Sequence, residues 1–191
     1  MSKKKSVWRE YAEAFVIAVV LALVIRTFVV QAFKIPSGSM LPTLQVGDHI
    51  LVNKFIYKFT RPERGEIVVF KFPQDEGRDF IKRVIGLPGE TVEVRQKRVY
   101  INGRLLEEPY AIHQDSAVYD NPHSPRDNYE PILVPEGSLF MMGDNHDHSM
   151  DSRFWGFLDQ KKVKGKAFII YWSWDKGRFR PRWDRIGKLV H

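Results

Sequence analysis

Apolar residues fall into two patterns along the chain. Residues 14–25 are apolar without a break, and after Arg26 the stretch 27–33 (TFVVQAF) resumes the character. Beyond residue 33 the apolar runs are short, β-branched or aromatic, and bounded by Gly, Pro, Asn or Asp; they cover 50–52, 67–72, 80–85, 91–94, 98–101, 139–142 and 167–172. The first pattern is a helix with no polar face for solvent. The second predicts strands, and Asn102-Gly103 after Val99-Tyr100-Ile101 marks a two-residue hairpin. Strands at this spacing predict a mainly β fold: an N-terminal helix followed by an all-β domain of sandwich or barrel type over 33–191. Residues 152–158 have room for one or two helical turns. Residues 107–130 are polar and turn-rich, with Asn121-Pro122 and Ser124-Pro125, and read as a long surface excursion ending over the functional site.

The apolar stretch 14–25 rises about 18 Å as helix, short of the roughly 30 Å hydrocarbon core of a bilayer. Starting the helix at Trp8 and letting Arg26 snorkel supplies the rest. A cleavable leader is disfavoured because no small-x-small site follows; Arg26, Thr27 and Phe28 do. A buried core helix is disfavoured by the all-round apolarity. The reading that remains is an uncleaved anchor: 1–10 in the cytoplasm, 11–32 spanning the cytoplasmic (inner) membrane once, and 33–191 outside, with Lys3, Lys4 and Lys5 setting the orientation.

Composition narrows the chemistry. The 191 residues allow one domain plus an appendage. Cysteine is absent, which removes a thiol nucleophile, disulfides and Cys-ligated metal. Thirty Lys+Arg against 23 Asp+Glu give a net charge of +7. A basic chain of this kind meets nucleic acid or an anionic membrane. The C-terminal run from residue 172 interleaves Lys176, Arg178, Arg180, Arg182, Arg185 and Lys188 with Trp174, Phe179 and Trp183. For a chain tethered outside a membrane that favours lipid headgroups over nucleic acid.

Three constellations bear reactive groups. In Ile35-Pro36-Ser37-Gly38-Ser39-Met40-Leu41-Pro42-Thr43, two serines flank a glycine between two prolines, a way to hold a hydroxyl out from a turn beside a free N–H; a plain Ser/Gly/Pro loop has the same composition. In the strand from Phe80 to Ile85, Phe80, Lys82 and Val84 share one face and Ile81, Arg83 and Ile85 the other. An ordinary lysine is neutral in roughly one molecule per thousand at pH 7.4, and a drop of about two units recovers near a hundredfold. Burial between Phe80 and Val84 lowers the pKa in that direction. Arg83 cannot serve as base, since guanidinium does not deprotonate. The third constellation, residues 143–156, packs Asp144, His146, Asp147, His148, Ser149, Asp151 and Arg153 into one segment. It is open to a metal site, to a Ser–His–Asp triad, or to an Asx-rich loop with Asp151 paired to Arg153.

Taken in order, Ser37-Gly38-Ser39-Met40-x-Pro-Thr, then Arg64-Gly65-Glu66-Ile67-Val68-Val69-Phe70, Ile81-Lys82-Arg83-x-Ile85-Gly86-x-Pro88-Gly89 and Gly143-Asp144-Asn145-x-x-x-Ser149-x-Asp151-Ser152-Arg153-x-Trp155-Gly156 resemble the bacterial type I signal peptidases of family S26. The resemblance runs from about Ala14 to Val190. It implies a membrane-bound Ser–Lys endopeptidase that removes signal peptides from exported preproteins, works as a monomer and uses no cofactor or metal. By the same resemblance Ser39 is the nucleophile and Lys82 the general base. Ser37 and the Ser39 N–H form the oxyanion hole, and Ser149 orients the lysine. Asp144, Asp151 and Arg153 shape the loop. Ile35, Pro36, Met40, Leu44, Ile50, Val69, Phe80 and Ile81 line shallow pockets for small residues at positions −1 and −3 of the substrate. Family members often carry Arg and Asn where His146 and His148 stand here, and neither histidine is assigned a role. The competing readings are a self-cleaving repressor of the same clan, which would need a DNA-binding helix-turn-helix, a membrane-tethered binding domain, and a nucleic-acid binder.

Overall fold

The computed structural model describes residues 7–24, 26, 29–119 and 124–191. Helix α1 (Val7–Val24) is followed by twelve strands: β1 (Val30–Lys34), β2 (Asp48–Asn53), β3 (Ile67–Phe72), β4 (Asp75–Gly86), β5 (Thr91–Arg95), β6 (Arg98–Ile101), β7 (Arg104–Leu105), β8 (Tyr129–Leu133), β9 (Ser138–Met142), β10 (Leu158–Asp159), β11 (Val163–Asp175) and β12 (Arg180–Pro181). A short helix α2 (Ser152–Trp155) lies between β9 and β10. The fold is mainly β.

The strands form two sheets. The larger runs β1-β2-β11-β3-β4-β9-β10, with β12 paired to β11; the smaller runs β7-β6-β5-β8. Alternation along β3, β4 and β9 buries both faces. Ile67 and Val69 join one apolar cluster while Val68 and Phe70 join another; Phe140 and Met142 pack with β5 and β6, whereas Leu139 and Met141 pack with Leu158. A strand covered on both sides reads as a continuous apolar run, which is why 67–72 and 139–142 stand out in the sequence. The Asn102-Gly103 hairpin forms as expected, with φ of 51° and 76°, the left-handed pair that a type I′ turn demands.

The segment 11–32 is expected to span a membrane once; among the described residues no helix is long and apolar enough to cross one. Arg9, Glu10 and Glu13 occupy the start of α1, and Val30–Lys34 pairs with β2 in the sheet. Residues 25, 27 and 28 of the expected span lie outside the described residues. The excursion 107–130 also contributes to the sheet, since β8 begins at Tyr129. None of its described residues lines the groove over Ser39 and Lys82. Instead it braces the 143–149 segment, through a parallel bridge from Ile112 to Asn145 and a bond from the Asp115 N–H to Asp147 at 2.7 Å.

Candidate active site

The turn after β1 carries Ser39. The Leu41 N–H closes it on the Gly38 carbonyl at 3.2 Å, and the Leu44 N–H bonds the Met40 carbonyl at 2.8 Å. Gly38 does not adopt a positive φ, and an added Cβ would press only on the tip of Leu41, at 3.1 Å. Behind the turn, Arg185 donates to Asp48 at 2.6 Å and to the Thr43 carbonyl at 2.8 Å, and the Ser173 hydroxyl donates to Asp48 at 2.6 Å. The C-terminal segment thus fixes the exit of the turn. Burial raises the Asp48 carboxyl, but bonds from Arg185 and Ser173 outweigh it and hold the pKa below the usual value.

Lys82 reaches the same point from β4. Its Nζ is hydrogen-bonded to Ser39 Oγ at 2.6 Å, with the two side chains brought from 43 residues apart. Lys82 is 4% exposed and Ser39 8%, and the Nζ lies 5.6 Å from the centroid of the Phe80 ring. Burial penalises the ammonium and lowers its pKa to about 8; the charges of Asp151 and Asp144 oppose this, and Arg153 adds to it. A lysine titrating there is neutral in roughly one molecule in ten at pH 7.

The neighbour Arg83 points the other way, as alternation requires, into a buried cluster. Its Nε and Nη2 grip Asp144 at 2.8 and 2.7 Å, Nη1 donates to the Gly65 carbonyl at 2.6 Å, and the guanidinium stacks 3.8 Å from the Tyr110 ring centroid. Thr43 Oγ1 also donates to Asp144. Asp151 is fully buried and bound through both oxygens by Arg153, at 2.9 and 2.8 Å, and accepts from the Gly143 N–H at 3.2 Å. Burial raises the Asp151 carboxyl, but the Arg153 charge and bonds hold it below the usual carboxylate range. Arg153 also donates to the His146 carbonyl at 2.7 Å. These two bidentate pairs hold the 143–153 segment against β4 and against itself.

Gly143 sets how closely that segment approaches the serine. A Cβ there would lie 2.4 Å from both the Ser39 carbonyl oxygen and Ser149 Oγ, so only glycine fits. Ser149 is buried against Gly143, its hydroxyl helps to hold the Asp151 carboxyl below its usual range, and it makes no hydrogen bond to Lys82. His146 is buried with both ring nitrogens unpartnered, its Nε2 3.4 Å from Glu108 and its ring 5.0 Å from that of His113. Among the described residues no three His, Asp or Glu side chains gather where they could hold one metal ion.

A groove of about 510 Å³ opens over the pair, lined by Pro36, Ser37, Ser39, Phe80, Ile81 and Lys82 together with Arg78, Asp79, His148 and Met150. Of the eight residues assigned to pockets, Pro36, Phe80 and Ile81 line it. Ile35, Met40, Leu44, Ile50 and Val69 form a buried cluster against which Ile81 packs, beneath the surface rather than on it. Arg78 lies before the strand that the sequence predicts from Phe80; β4 begins earlier, and the same alternation puts Arg78 on the face of Phe80 and Lys82. The groove also has an open sheet edge. β9 leaves β4 at the Arg83–Met142 pair, so residues 79–82 are paired only with β3 among the described strands.

A serine hydroxyl hydrogen-bonded to a buried, readily neutral lysine, beside an unpaired strand edge, is the equipment of a hydrolase that binds an extended chain and attacks its carbonyl. Comparison with known proteins places the chain in a family. A model of the family described as signal peptidase, peptidase S26, matches residues 8–172. The probable signal peptidase I-2 of Synechocystis sp. is 43% identical over 182 residues, covering 90% of this chain and 78% of the relative. The signal peptidase I of Pseudomonas aeruginosa is 36% identical over 225 residues, covering 95% and 79%. A crystal structure of a signal peptidase I from Enterococcus faecalis aligns with TM-score 0.46 at 37% identity, over 56% of this chain and 97% of the other. The chain belongs to the signal peptidase family S26, and it is a peptidase.

Proposed function

We propose that this peptidase removes signal peptides from preproteins by attack of Ser39, with Lys82 as general base. The observation that carries this reading is the 2.6 Å contact between two buried groups of which one is lysine. In the cycle, neutral Lys82 takes the Ser39 proton as Oγ bonds to the scissile carbonyl carbon. The resulting ammonium then protonates the leaving amine, the C–N bond breaks, and an acyl-enzyme remains. Water, deprotonated by Lys82, releases the acyl group and restores the serine. The oxyanion has two donors within the turn, the Ser39 N–H and the Ser37 hydroxyl, each worth about 10²–10³ in rate.

The substrate enters as an added strand along residues 79–82 of β4, which orients its carbonyl toward Ser39. Pro36, Phe80 and Ile81 line the groove beside Ser39 as the walls of shallow pockets, which favour small side chains at positions −1 and −3. Asp144, Asp151 and Arg153 keep the 143–153 segment in place, and Ser149 serves the pair by packing beside it. The enzyme acts as a monomer, without cofactor, metal or nucleic acid.

We also propose that the segment 11–32 anchors the chain in the cytoplasmic membrane, N-terminus inside and the β-domain outside. Every described residue of α1 is exposed, among them Phe15, Val16, Ile17, Leu21 and Leu23, a surface that water does not favour and the β-domain does not cover. At the other end of the chain, Phe179 and Trp183 are 82% and 72% exposed amid Arg178, Arg180 and Arg182, a pairing suited to the headgroup layer of a bilayer.

The test is incubation of the detergent-solubilised chain with a preprotein ending its leader in Ala-x-Ala. Cleavage after the second alanine, lost in Ser39→Ala and in Lys82→Ala, supports the reading; cleavage that survives Ser39→Ala rejects it. For topology, protease added to spheroplasts should digest the β-domain, and its full protection would reject the orientation.

A further inference from the structure

Asn145 touches the backbone on both sides of the nucleophile. Its side-chain Nδ2 donates to the Gly38 carbonyl at 3.1 Å, and its main-chain N–H donates to the Ser39 carbonyl at 3.1 Å. The Gly38 carbonyl and the Ser39 N–H belong to one planar trans peptide, in which the C=O and N–H point to opposite sides. Holding the oxygen therefore aims the N–H. That N–H bonds to no other described residue, so it is free to meet an incoming oxyanion.

The clamp is itself rigid. Asn145 is 2% exposed. On either side of it, the Ile112 N–H bonds the Asp144 carbonyl at 2.8 Å and the His146 N–H bonds the Ile112 carbonyl at 3.1 Å. Asn145 Oδ1 is buried with no partner; exchanging the amide's oxygen and nitrogen would set two oxygens against each other at Gly38, so the donor assignment follows from the network. A buried amide oxygen left unpaired costs free energy, a cost offset by the two bonds the residue makes to the turn.

We propose that Asn145 is a positioning residue for the oxyanion hole: it fixes the plane of the Gly38–Ser39 peptide so that the Ser39 N–H is aligned before the transition state forms. It acts on the hole rather than on Lys82, which it does not contact by any hydrogen bond. This rests on Ser39 being the nucleophile. A hole that must align during the reaction stabilises the transition state less and the bound substrate hardly at all.

The experiment uses the whole chain in detergent, with Asn145→Ala, Asn145→Asp and Ser39→Ala compared on an Ala-x-Ala preprotein. Two probes accompany it: a peptide aldehyde of the same sequence, whose adduct with Ser39 places an oxyanion in the hole, and an uncleavable peptide with proline after the scissile position. The expected result is a kcat loss of roughly tenfold to hundredfold, below the ~10²–10³ for deleting an oxyanion donor, with aldehyde affinity falling in parallel. KM, affinity for the uncleavable peptide and the pH midpoint of kcat/KM should stay at the parent values. Asn145→Asp keeps the size and the main-chain bond, and is read by the same criteria if Asn145→Ala does not fold. A kcat within twofold of the parent, an equal loss of affinity for the uncleavable peptide, or a shifted pH midpoint overturns the proposal. If Ser39→Ala is dead while the Asn145 variants match the parent, only this inference fails; if Ser39→Ala cleaves, the proposed nucleophile fails first.

Discussion

Replacing Lys82 with methionine should abolish cleavage and yet make the protein more stable at neutral pH. The side chain is buried and its pKa falls from an ordinary 10.5 to about 8. The unfolded chain therefore binds this proton more tightly than the folded one, and folding at pH 7 loses roughly 3 kcal/mol relative to a neutral side chain. The sign follows from the depressed lysine: the penalty is complete below pH 8, shrinks as pH rises, and is gone by about pH 10.5. Methionine has similar length and no charge. It forfeits the hydrogen bond to Ser39, worth about 1 kcal/mol, which leaves a net gain of about 2 kcal/mol at pH 7. Denaturant unfolding of the detergent-solubilised chain, parent against Lys82→Met, measures this at pH 7 and at pH 10.5. The gain should be present at the first and absent at the second. A variant less stable than the parent at pH 7, or a difference that does not change with pH, would refute the claim that the lysine is held against its charge.

Arg83→Lys should lose about 3 kcal/mol, because a lysine cannot reproduce the fork on Asp144 together with the bond to Gly65; the denaturant midpoint reads this, and an unchanged midpoint contradicts it. Gly143→Ala should fold with a lowered Tm and lose about a hundredfold in kcat, since its Cβ would have to move the Ser39 carbonyl by more than half an ångström; parent-like turnover would show that the segment gives way freely. Preproteins ending in Phe-x-Phe should be cleaved at least a hundredfold more slowly than those ending in Ala-x-Ala, as the shallow groove requires, and comparable kcat/KM values would reject that shape argument.

Much of the site was legible because strand alternation is a local rule. Given a strand at 80–85, Lys82 and Arg83 had to face opposite sides, and only one of them could deprotonate. The same rule missed β1, because Val30, Gln31, Ala32 and Phe33 follow so closely on the apolar run that they read as its tail. It missed β8 because Pro131 argues against a strand; β8 is an edge strand of the smaller sheet, where a proline costs no ladder bond. What the sequence did not disclose are partners distant along the chain. Nothing near Arg83 in sequence explains a buried guanidinium; Asp144 grips it from 61 residues away. Ile35, Met40, Leu44, Ile50 and Val69 are apolar both as pocket lining and as core, and composition does not tell a groove wall from the layer beneath it. Asn145 stands in the motif that begins at Gly143, but the motif does not disclose what its side chain does, because that depends on the plane of a peptide bond in another loop.

The pH dependence of kcat/KM on an Ala-x-Ala preprotein tests the central claim most directly. If Lys82 must lose its proton before Ser39 attacks, kcat/KM rises tenfold per pH unit and levels off with a midpoint near pH 8, and Lys82→Arg, folded to the same extent, shows no activity at any pH. A pH dependence that disappears in His148→Ala, or a Lys82→Arg variant that cleaves at the parent's rate, would contradict it.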